Sequence, residues 1–394
     1  MTKEEFKDIA PFDDSEVQQA MNTLVKEPGF EHAVRYVMPD VDYDKFCAQL
    51  CQLRTKYEFQ KAVIVPFLDG VLNRSTDGIT VSGLDDNMDG KAFTYISNHR
   101  DIVLDAAFLN YLLATRDLPT TEIAIGDNLL VFDWIDNLVR LNKSFIVRRG
   151  LRMTQALEAS KHLSAYIRHT VTERNQSVWI AQREGRAKDS NDVTQESLLK
   201  MLGQLSGEGT LLENIMALNI APVSITYEYD PNDYLKAREF LLRRRDPEFH
   251  KSQRDDLLSM ETGMLGYKGH VHYTFNDCIN PKIAHLAAST DRIEVLHGIR
   301  EAIDNAIHAG YEIFKMNYIA YDQLNETDRF TDQYSFDDIV DFDNYISAQL
   351  DKVDVDDITE EEDMFMREMM LQMYANPLAN KLVAIGEDSE ENDD

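Results

Sequence analysis

The 394-residue sequence has few cysteines, no long apolar run and a deficit of basic residues. Its three cysteines are too few for a disulfide framework. Cys47 and Cys51 are four residues apart in a helical pattern, so we expect reduced thiols on one helix face and no metal site. No segment approaches the roughly 20 apolar residues that a membrane-spanning helix requires. The first residues lack the pattern of a secretion signal. We therefore expect a cytoplasmic protein, with any membrane contact peripheral and at the inner face.

Acidic residues outnumber basic ones by 70 to 40, which gives a formal net charge of −30. So acidic a chain is a poor candidate for binding nucleic acid. Residues 322–394 hold 23 acidic and 4 basic residues, a net −19. Residues 137–157 reverse the sign, because they contain no acidic residue and five cations: Arg140, Lys143, Arg148, Arg149 and Arg152. This segment indicates either an anion-binding site or a solvated cationic face.

The apolar pattern predicts an α/β fold. Strand-like runs occur at residues 61–67, 91–97, 122–126, 144–148, 177–181, 220–227 and 269–275. Helical patterns separate many of them, at residues 102–114, 131–141, 152–172 and 194–202. Such alternation predicts a mostly parallel sheet flanked by helices, with ligands at the carboxyl ends of the strands. Residues 73–90 are rich in Asp, Asn and Gly and are interpreted as turns.

We predict four segments along the chain. They are a helical N-terminal segment (1–60), an α/β domain (61–280), a helical C-terminal extension (281–385) and a disordered acidic tail (386–394). In the extension, Thr359 and Glu362 form a capping-box pattern that opens a helix. Four methionines of that helix share one face, which favours core packing over a lipid or partner surface: Met366, Met369, Met370 and Met373.

A histidine lies where a predicted strand gives way to a helix. The strand ends near Ser97, and helical spacing begins near Ile102, which places His99 in a strand-to-helix turn. A neutral histidine can act as a general base when a carboxylate fixes its ring and tautomer. Two carboxylates are available. Asp101 stands where a helix cap is expected, and we prefer Asp105, one turn further on, as the partner.

Four blocks of sequence occur in a fixed order at or near the predicted strand ends. They are Ser97-Asn98-His99-Arg100 with Asp105, Ser144-Phe145-Ile146-Val147-Arg148-Arg149, Gln182-Arg183-Glu184-Gly185-Arg186, and the strand 220–227 with its proline. Together with Gly126-Asp127-Asn128, they resemble the glycerol-3-phosphate and lysophosphatidate acyltransferase family over roughly residues 81–275. The pattern departs from the family twice. His99 and Asp105 enclose five residues instead of four, and Arg186 follows Gly185 directly.

The resemblance implies an O-acyltransferase. It would move a fatty acyl group from an acyl-CoA or acyl-ACP (acyl carrier protein) thioester to a hydroxyl of a glycerophosphate or lysophospholipid acceptor. His99 would be the general base and Asp105 would orient it. Substrate contacts would come from Arg148, Arg149, Glu184, Gly185 and Arg186. The arginines would suit an acceptor phosphate, because guanidinium groups bind phosphate oxygens in pairs. No cofactor beyond the thioester co-substrate is implied, and the shifted spacing leaves Lys188 as an alternative to Arg186.

Eight apolar residues precede the cationic segment and form either an acyl-chain trench or ordinary core: Leu129, Leu130, Val131, Phe132, Trp134, Ile135, Leu138 and Val139. Two other functions stay open. A non-catalytic lipid- or acyl-carrier-binding protein would explain the shifted aspartate as lost geometry. An O-acyltransferase for amino-acid lipids would have little use for the phosphate-binding arginines.

Overall fold

The computed structural model describes residues 3–84, 90–205 and 207–387. Seven strands form one sheet in the order β1-β7-β6-β2-β5-β3-β4. Their bounds are β1 Gly78–Ser82, β2 Thr94–Ser97, β3 Glu122–Gly126, β4 Ser144–Val147, β5 Val178–Ala181, β6 Ile220–Tyr227 and β7 His270–Phe275. The predicted α/β class is confirmed.

Five neighbouring strands of the sheet are parallel: β6, β2, β5, β3 and β4. β7 is antiparallel to β6, and β1 is parallel to β7, so this outer pair runs the other way. Ser97 at the end of β2 is in register with Ala181 at the end of β5 and with Val223 in β6. The carboxyl ends of β2, β5, β3 and β4 therefore share one edge of the sheet, which we term the carboxyl edge.

Helices flank the sheet and form both ends of the described chain. Before β2 they are α1 Asp14–Leu24, α2 Pro28–Val37, α3 Tyr43–Leu50, α4 Lys56–Phe59 and α5 Val65–Ser75. Between β2 and β7 they are α6 Leu104–Ala114, α7 Asp133–Leu141, α8 Met153–Arg168, α9 Glu196–Gln204, α10 Leu211–Met216, α11 Asp233–Arg245 and α12 Gln253–Leu265. After β7 they are α13 Asn280–Ile283, α14 Arg292–Ala309, α15 Lys315–Asn325, α16 Phe336–Leu350 and α17 Glu360–Ile385.

Short 3₁₀ or π turns also occur, at Lys3–Phe6, Gln60–Ile64, Asp127–Leu129, His169–Glu173 and Ala284–Ala288. None of the helices in the described ranges combines the length and apolar character needed to cross a bilayer.

The two faces of the sheet carry separate apolar cores, because successive strand residues point to opposite faces. Ile96 of β2 and Ile180 of β5 pack with residues of α8, α9, α10 and α14. Tyr95 and Trp179, the neighbours of those two residues in sequence, pack on the other face with α5 and α6. Helical cover on both faces explains why the parallel strands are almost wholly apolar.

Two predictions on the N-terminal side of the sheet are wrong. The segment Lys61–Phe67 is not a strand: it passes through a π turn, and α5 begins at Val65 with Pro66 in its first turn. The proline comes just after the π turn, a local irregularity of the kind at which a helix accommodates a residue without an amide donor. Residues 73–90 are not only turns, since Gly78–Ser82 forms β1 beside β7. Residues 85–89 lie outside the described chain.

The C-terminal helix begins as the sequence predicts. The Thr359 side chain accepts a hydrogen bond from the Glu362 backbone, and the helix ends at Gly386, which has a left-handed conformation. Met366, Met370 and Met373 are buried against α11, α15 and α16, whereas Met369 is half-buried. The stripe is therefore core. The tail predicted at 386–394 falls outside the described residues from 388 onward, and the four segment boundaries remain predictions.

The methionine core gives a matched stability test. Met370→Ala should lower the free energy of unfolding by about 2–5 kcal/mol, because it removes a fully buried side chain and leaves a cavity. Met364→Ala, on the same helix but 59% exposed, should change it by less than about 0.5 kcal/mol. Chemical denaturation of both variants measures the difference. Equal effects would contradict this account of the C-terminal core.

Candidate active site

His99 lies in the turn between β2 and α6, at the carboxyl edge. Its Nδ1 is 2.8 Å from Oδ2 of Asp105, the second residue of α6. An ionised carboxylate only accepts hydrogen bonds, so Nδ1 carries the proton and Nε2 keeps its lone pair. Asp105 is completely buried, whereas the His99 side chain is 14% exposed. The turn accommodates the extra residue of the shifted spacing and still brings the two side chains into contact.

The Asp105 carboxylate accepts further hydrogen bonds that hold it in place. Oδ2 receives the backbone N–H of Arg100 at 2.7 Å and that of Asp101 at 3.1 Å. Oδ1 receives the hydroxyl of Tyr227, at the end of β6, at 3.2 Å. A buried charge needs such compensation, since an unpaired one costs several kcal/mol. The turn is therefore built around the carboxylate that contacts the histidine.

Residues beside His99 tie the turn to the neighbouring strands. The Asn98 side chain forms two hydrogen bonds with the backbone of Ile225 in β6, each 2.8 Å long. Trp179 in β5 donates its indole N–H to the Ser97 hydroxyl at 3.0 Å. Its ring lies edge-on to the His99 ring, with the two ring centroids 6.2 Å apart. The imidazole is thus bounded by an aromatic ring and held by a turn that is anchored on both sides.

Asp101 caps α6 and does not contact His99. Its Oδ1 accepts the backbone N–H groups of Val103 and Leu104, both at 2.8 Å. Burial raises the pKa of Asp101, and the neighbouring charge of Asp105 raises it further. The two aspartates have separate structural tasks: one begins the helix and the other contacts the histidine.

Arg100 points into the protein and not toward a ligand. Its Nη1 is 2.7 Å from Oδ2 of Asp192, and both side chains are almost completely buried. The same carboxylate oxygen accepts the Tyr311 hydroxyl at 2.7 Å, and the guanidinium lies over the Tyr311 ring. This buried group connects the histidine turn to the loop after β5 and to the end of α14.

The paired arginines after β4 have different environments. Arg148 is exposed, whereas the Arg149 backbone is held by Asp127 at 3.0 Å. The Arg149 guanidinium reaches toward the loop after β5, with Nη1 3.6 Å from Oε1 of Glu184. Glu184 is largely exposed, so this ion pair is weak and its groups are free to bind a ligand. The structure brings Arg149 and Glu184 together and leaves Arg148 apart.

Gly185 and Arg186 form the turn that follows Glu184. Gly185 has a φ of +69°, a conformation that favours glycine. Arg186 is buried, and no acceptor in the described part of the chain hydrogen-bonds its Nη1. Burial raises the pKa of the nearby Asp230, but Lys236 and, to a smaller extent, Arg186 lower it below its usual value. A buried guanidinium nitrogen without a partner is a candidate for binding an anion.

Further cations line a depression next to Arg186. Lys188 and Lys236 line this depression, and both are mostly buried. Lys188 pairs with Glu239 at 2.9 Å, and Lys236 pairs with Asp230. Burial, together with the charge of Arg186, lowers the pKa of Lys188 to about 7. Lys188, the alternative that the shifted spacing left open, therefore lies beside Arg186 in the same depression.

The apolar residues between β3 and β4 serve mainly as core. Trp134 and Leu138 pack against the N-terminal helices, and Leu130 and Val139 pack against the sheet core. Phe132 is exposed. The apolar segment therefore does not form one continuous trench.

A cavity of about 490 Å³ lies elsewhere, at the amino ends of the strands. It is lined by Glu122 at the start of β3, by Lys143 just before β4, and by Arg174 before β5. None of the predicted site residues lines it. Because ligands of such sheets bind at the carboxyl ends, this cavity is not the candidate active site.

The sequence pattern missed Tyr227, Asn98 and Trp179 as neighbours of the histidine turn. Asn98 is part of a sequence block, but its side-chain partner is 127 residues away. Tyr227 ends the strand that pairs with β2, so only the strand order places it near Asp105. No local signal in the sequence reports such contacts.

The acyltransferase family model matches residues 78–225, from the start of β1 into β6. This segment is therefore similar to the acyltransferase domain. It contains the His99 turn, both loops that carry Arg149 and Glu184, and all but the end of the fourth block.

Other comparisons add little to this assignment. The chain gave no significant match among curated protein sequences. Among solved structures it is similar to PlsC, the 1-acyl-sn-glycerophosphate (LPA) acyltransferase from Thermotoga maritima. The identity is 10% and the TM-score 0.34, over 75% of this chain and 97% of that chain.

The buried pair behind the turn gives a test of this arrangement. Asp192→Asn should lower the free energy of unfolding by about 3–5 kcal/mol, because it leaves the Arg100 charge buried without an anion. Asp189→Asn, in the same loop with a half-buried side chain, should cost less than about 1 kcal/mol. Urea denaturation compares the two. An Asp192→Asn variant with an unchanged free energy of unfolding would contradict the role of the pair.

Proposed function

We propose that this acyltransferase moves a fatty acyl group from an acyl-CoA or acyl-ACP thioester to a hydroxyl of a glycerophosphate-type acceptor, with His99 as the general base. The contact that supports this most strongly is the 2.8 Å hydrogen bond between His99 Nδ1 and the buried Asp105. In the neutral ring this bond leaves the lone pair on Nε2, and the turn that holds His99 lies at the carboxyl edge of the sheet, where substrates of such folds bind.

The chemistry follows from this tautomer. Nε2 takes the proton of the acceptor hydroxyl as its oxygen attacks the thioester carbon. The carbon–sulfur bond then breaks, and the departing thiolate takes the proton from the imidazolium, so the products are an ester and a free thiol. Asp105 holds the ring and stabilises the transient imidazolium. No covalent enzyme intermediate is required, since the acceptor oxygen attacks directly.

An acceptor phosphate would bind at the cations between the loops after β4 and β5. Asp127 holds the Arg149 backbone at the carboxyl edge, and Arg186 has a buried Nη1 without an acceptor in the described chain. Lys188 adds a third cation beside Arg186. Glu184 is placed to accept a hydrogen bond from an acceptor hydroxyl when its weak pairing with Arg149 opens.

The geometry speaks against a non-catalytic binding protein. That alternative rested on the extra residue between His99 and Asp105, which would have separated the two side chains. Their contact, together with the three other donors to the carboxylate, is what a functional base requires.

The test is release of free thiol from palmitoyl-CoA, with glycerol 3-phosphate, lysophosphatidate or an acylated amino acid as acceptor. His99→Ala should lower the acceptor-dependent rate by about 10²–10⁴-fold, the usual contribution of a general base. Asp105→Asn should lower it by a similar factor, because an amide favours the wrong tautomer. His297→Ala, a surface histidine on α14, should keep the full rate.

Two outcomes would contradict the proposal. If His99→Ala retained the acceptor-dependent rate, another group would be the base. If the acylated amino acid alone stimulated thiol release, the phosphate-bearing acceptor would be wrong, while acyl transfer itself would stand. Donors carried on acyl carrier protein belong in the same assay, since the proposal allows either thioester.

The Lys188 ammonium predicts a pH dependence of acceptor binding. With a pKa of about 7, Lys188 is charged below that pH and neutral above it. Glycerol 3-phosphate is dianionic above about pH 6.5, so its affinity should fall as pH rises from about 7 to about 9. Lys188→Arg should remove this dependence, because a guanidinium stays charged. Calorimetric titration at several pH values measures it, and an unchanged slope in the variant would exclude Lys188.

A further inference from the structure

One exposed surface next to the candidate site combines apolar and cationic side chains. It begins where β4 ends and continues onto the first turns of α8. We define it by Arg148, Leu151, Arg152, Met153 and Leu157, all of which are exposed. Met153 is 90% exposed and Leu157 48%, and their spacing of four places them on one side of α8.

The charge of this surface is opposite to that of the chain as a whole. Residues 137–157 contain no acidic residue, in a protein of net charge −30. Within the described residues, neither Arg148 nor Arg152 has a carboxylate within ion-pair distance, whereas the next acidic residue, Glu158, pairs with Lys161 at 3.2 Å. The two arginines are therefore free cations, and they border exposed apolar side chains.

The position of this surface relates it to the chemistry. It follows β4 directly, so it lies at the carboxyl edge, beside Arg149 and the Arg149–Glu184 pair at the mouth of the site. In the segment that follows the neighbouring strand β3, Phe132 is exposed just before α7. Apolar groups that reach water next to the site are costly for a protein that works only in solution.

We propose that this surface docks the acyltransferase on an anionic lipid bilayer. Exposed apolar side chains enter the boundary between headgroups and acyl chains, and the arginines bind anionic headgroups. The proposal rests on the proposed lipid acceptor, because docking at the mouth lets acyl chains pass to the site without crossing water. Repulsion between acidic residues elsewhere in the chain and the membrane is screened over about 8 Å at physiological salt, so the local charge of the docking surface governs its contact with the headgroups.

Vesicle sedimentation tests the docking surface. Wild-type protein should sediment with vesicles of phosphatidylcholine and phosphatidylglycerol, more weakly with phosphatidylcholine alone, and less as salt is raised. Met153→Ser/Leu157→Ser should weaken binding to the anionic vesicles by about tenfold or more. Arg152→Gln should weaken it by about fivefold, the weight of one cation at an anionic surface.

The matched control is Ile293→Ser on α14. Its side chain is 78% exposed, and it lies in the first turn of α14, outside the docking surface. This variant should bind vesicles as the wild type does. Docking elsewhere is indicated if Ile293→Ser loses binding as strongly as the double variant, or if the double variant binds unchanged, and either result overturns the proposal. Binding to acyl carrier protein but to neither vesicle would assign the surface to a protein carrier and overturn it too.

Catalysis on water-soluble substrates separates this proposal from the proposed function. A short-chain acyl-CoA with glycerol 3-phosphate requires no bilayer, so Met153→Ser/Leu157→Ser should turn it over at the wild-type rate. His99→Ala should lose that turnover and still sediment with anionic vesicles. Turnover without vesicle binding in the wild type would overturn only the docking surface, whereas vesicle binding without turnover would overturn only the catalytic proposal.

Discussion

The hydrogen bond between His99 and Asp105 is the interaction on which the chemistry of this protein depends. It joins a mostly buried histidine to a carboxylate that is completely buried. Such a carboxylate is stable only if several donors surround it. Here the donors come from the turn itself and from Tyr227 at the end of β6. The position of the histidine therefore depends on strand order as well as on the local turn.

The same edge of the sheet separates buried charges from charges that are available to a ligand. Arg100 belongs to the first group, because Asp192 and Tyr311 enclose it. Arg149 belongs to the second, because among the described residues its guanidinium has one carboxylate within ion-pair distance, that of the exposed Glu184 at 3.6 Å. Arg186 is intermediate, being buried but incompletely hydrogen-bonded. Three arginines near one histidine thus have different tasks that their positions in sequence do not distinguish.

Much of the fold could be predicted from the sequence. The parallel strands are short apolar runs between amphipathic helices, and β3 and β6 have the predicted bounds. The Lys61–Phe67 strand was wrong because a β-branched run also suits a helix that packs on a sheet, and only tertiary contacts decide between them. β1 was missed because its pairing partner, β7, lies about 190 residues further on.

The candidate site was partly predictable, because some of its contacts are local in sequence and others are not. The spacing of His99 and Asp105 is local, so a turn and a helix could be expected to join them. The contacts of Asn98, Tyr227 and Asp192 are not local, since each joins segments that are distant in sequence. Their roles follow only from the order of the strands. The exposed Met153 had no distinguishing pattern, because helical spacing gives no sign of which face remains uncovered.

The most direct test of the central claim is a crystal structure of the His99→Ala protein, and of the wild type, with glycerol 3-phosphate bound. In the wild type, one acceptor hydroxyl should lie about 2.6–3.2 Å from His99 Nε2. The phosphate should contact Arg149 or Arg186, and in the variant it should keep those contacts. Glycerol 3-phosphate bound instead in the cavity at the opposite edge, or with its hydroxyls turned away from His99, would contradict the proposed chemistry.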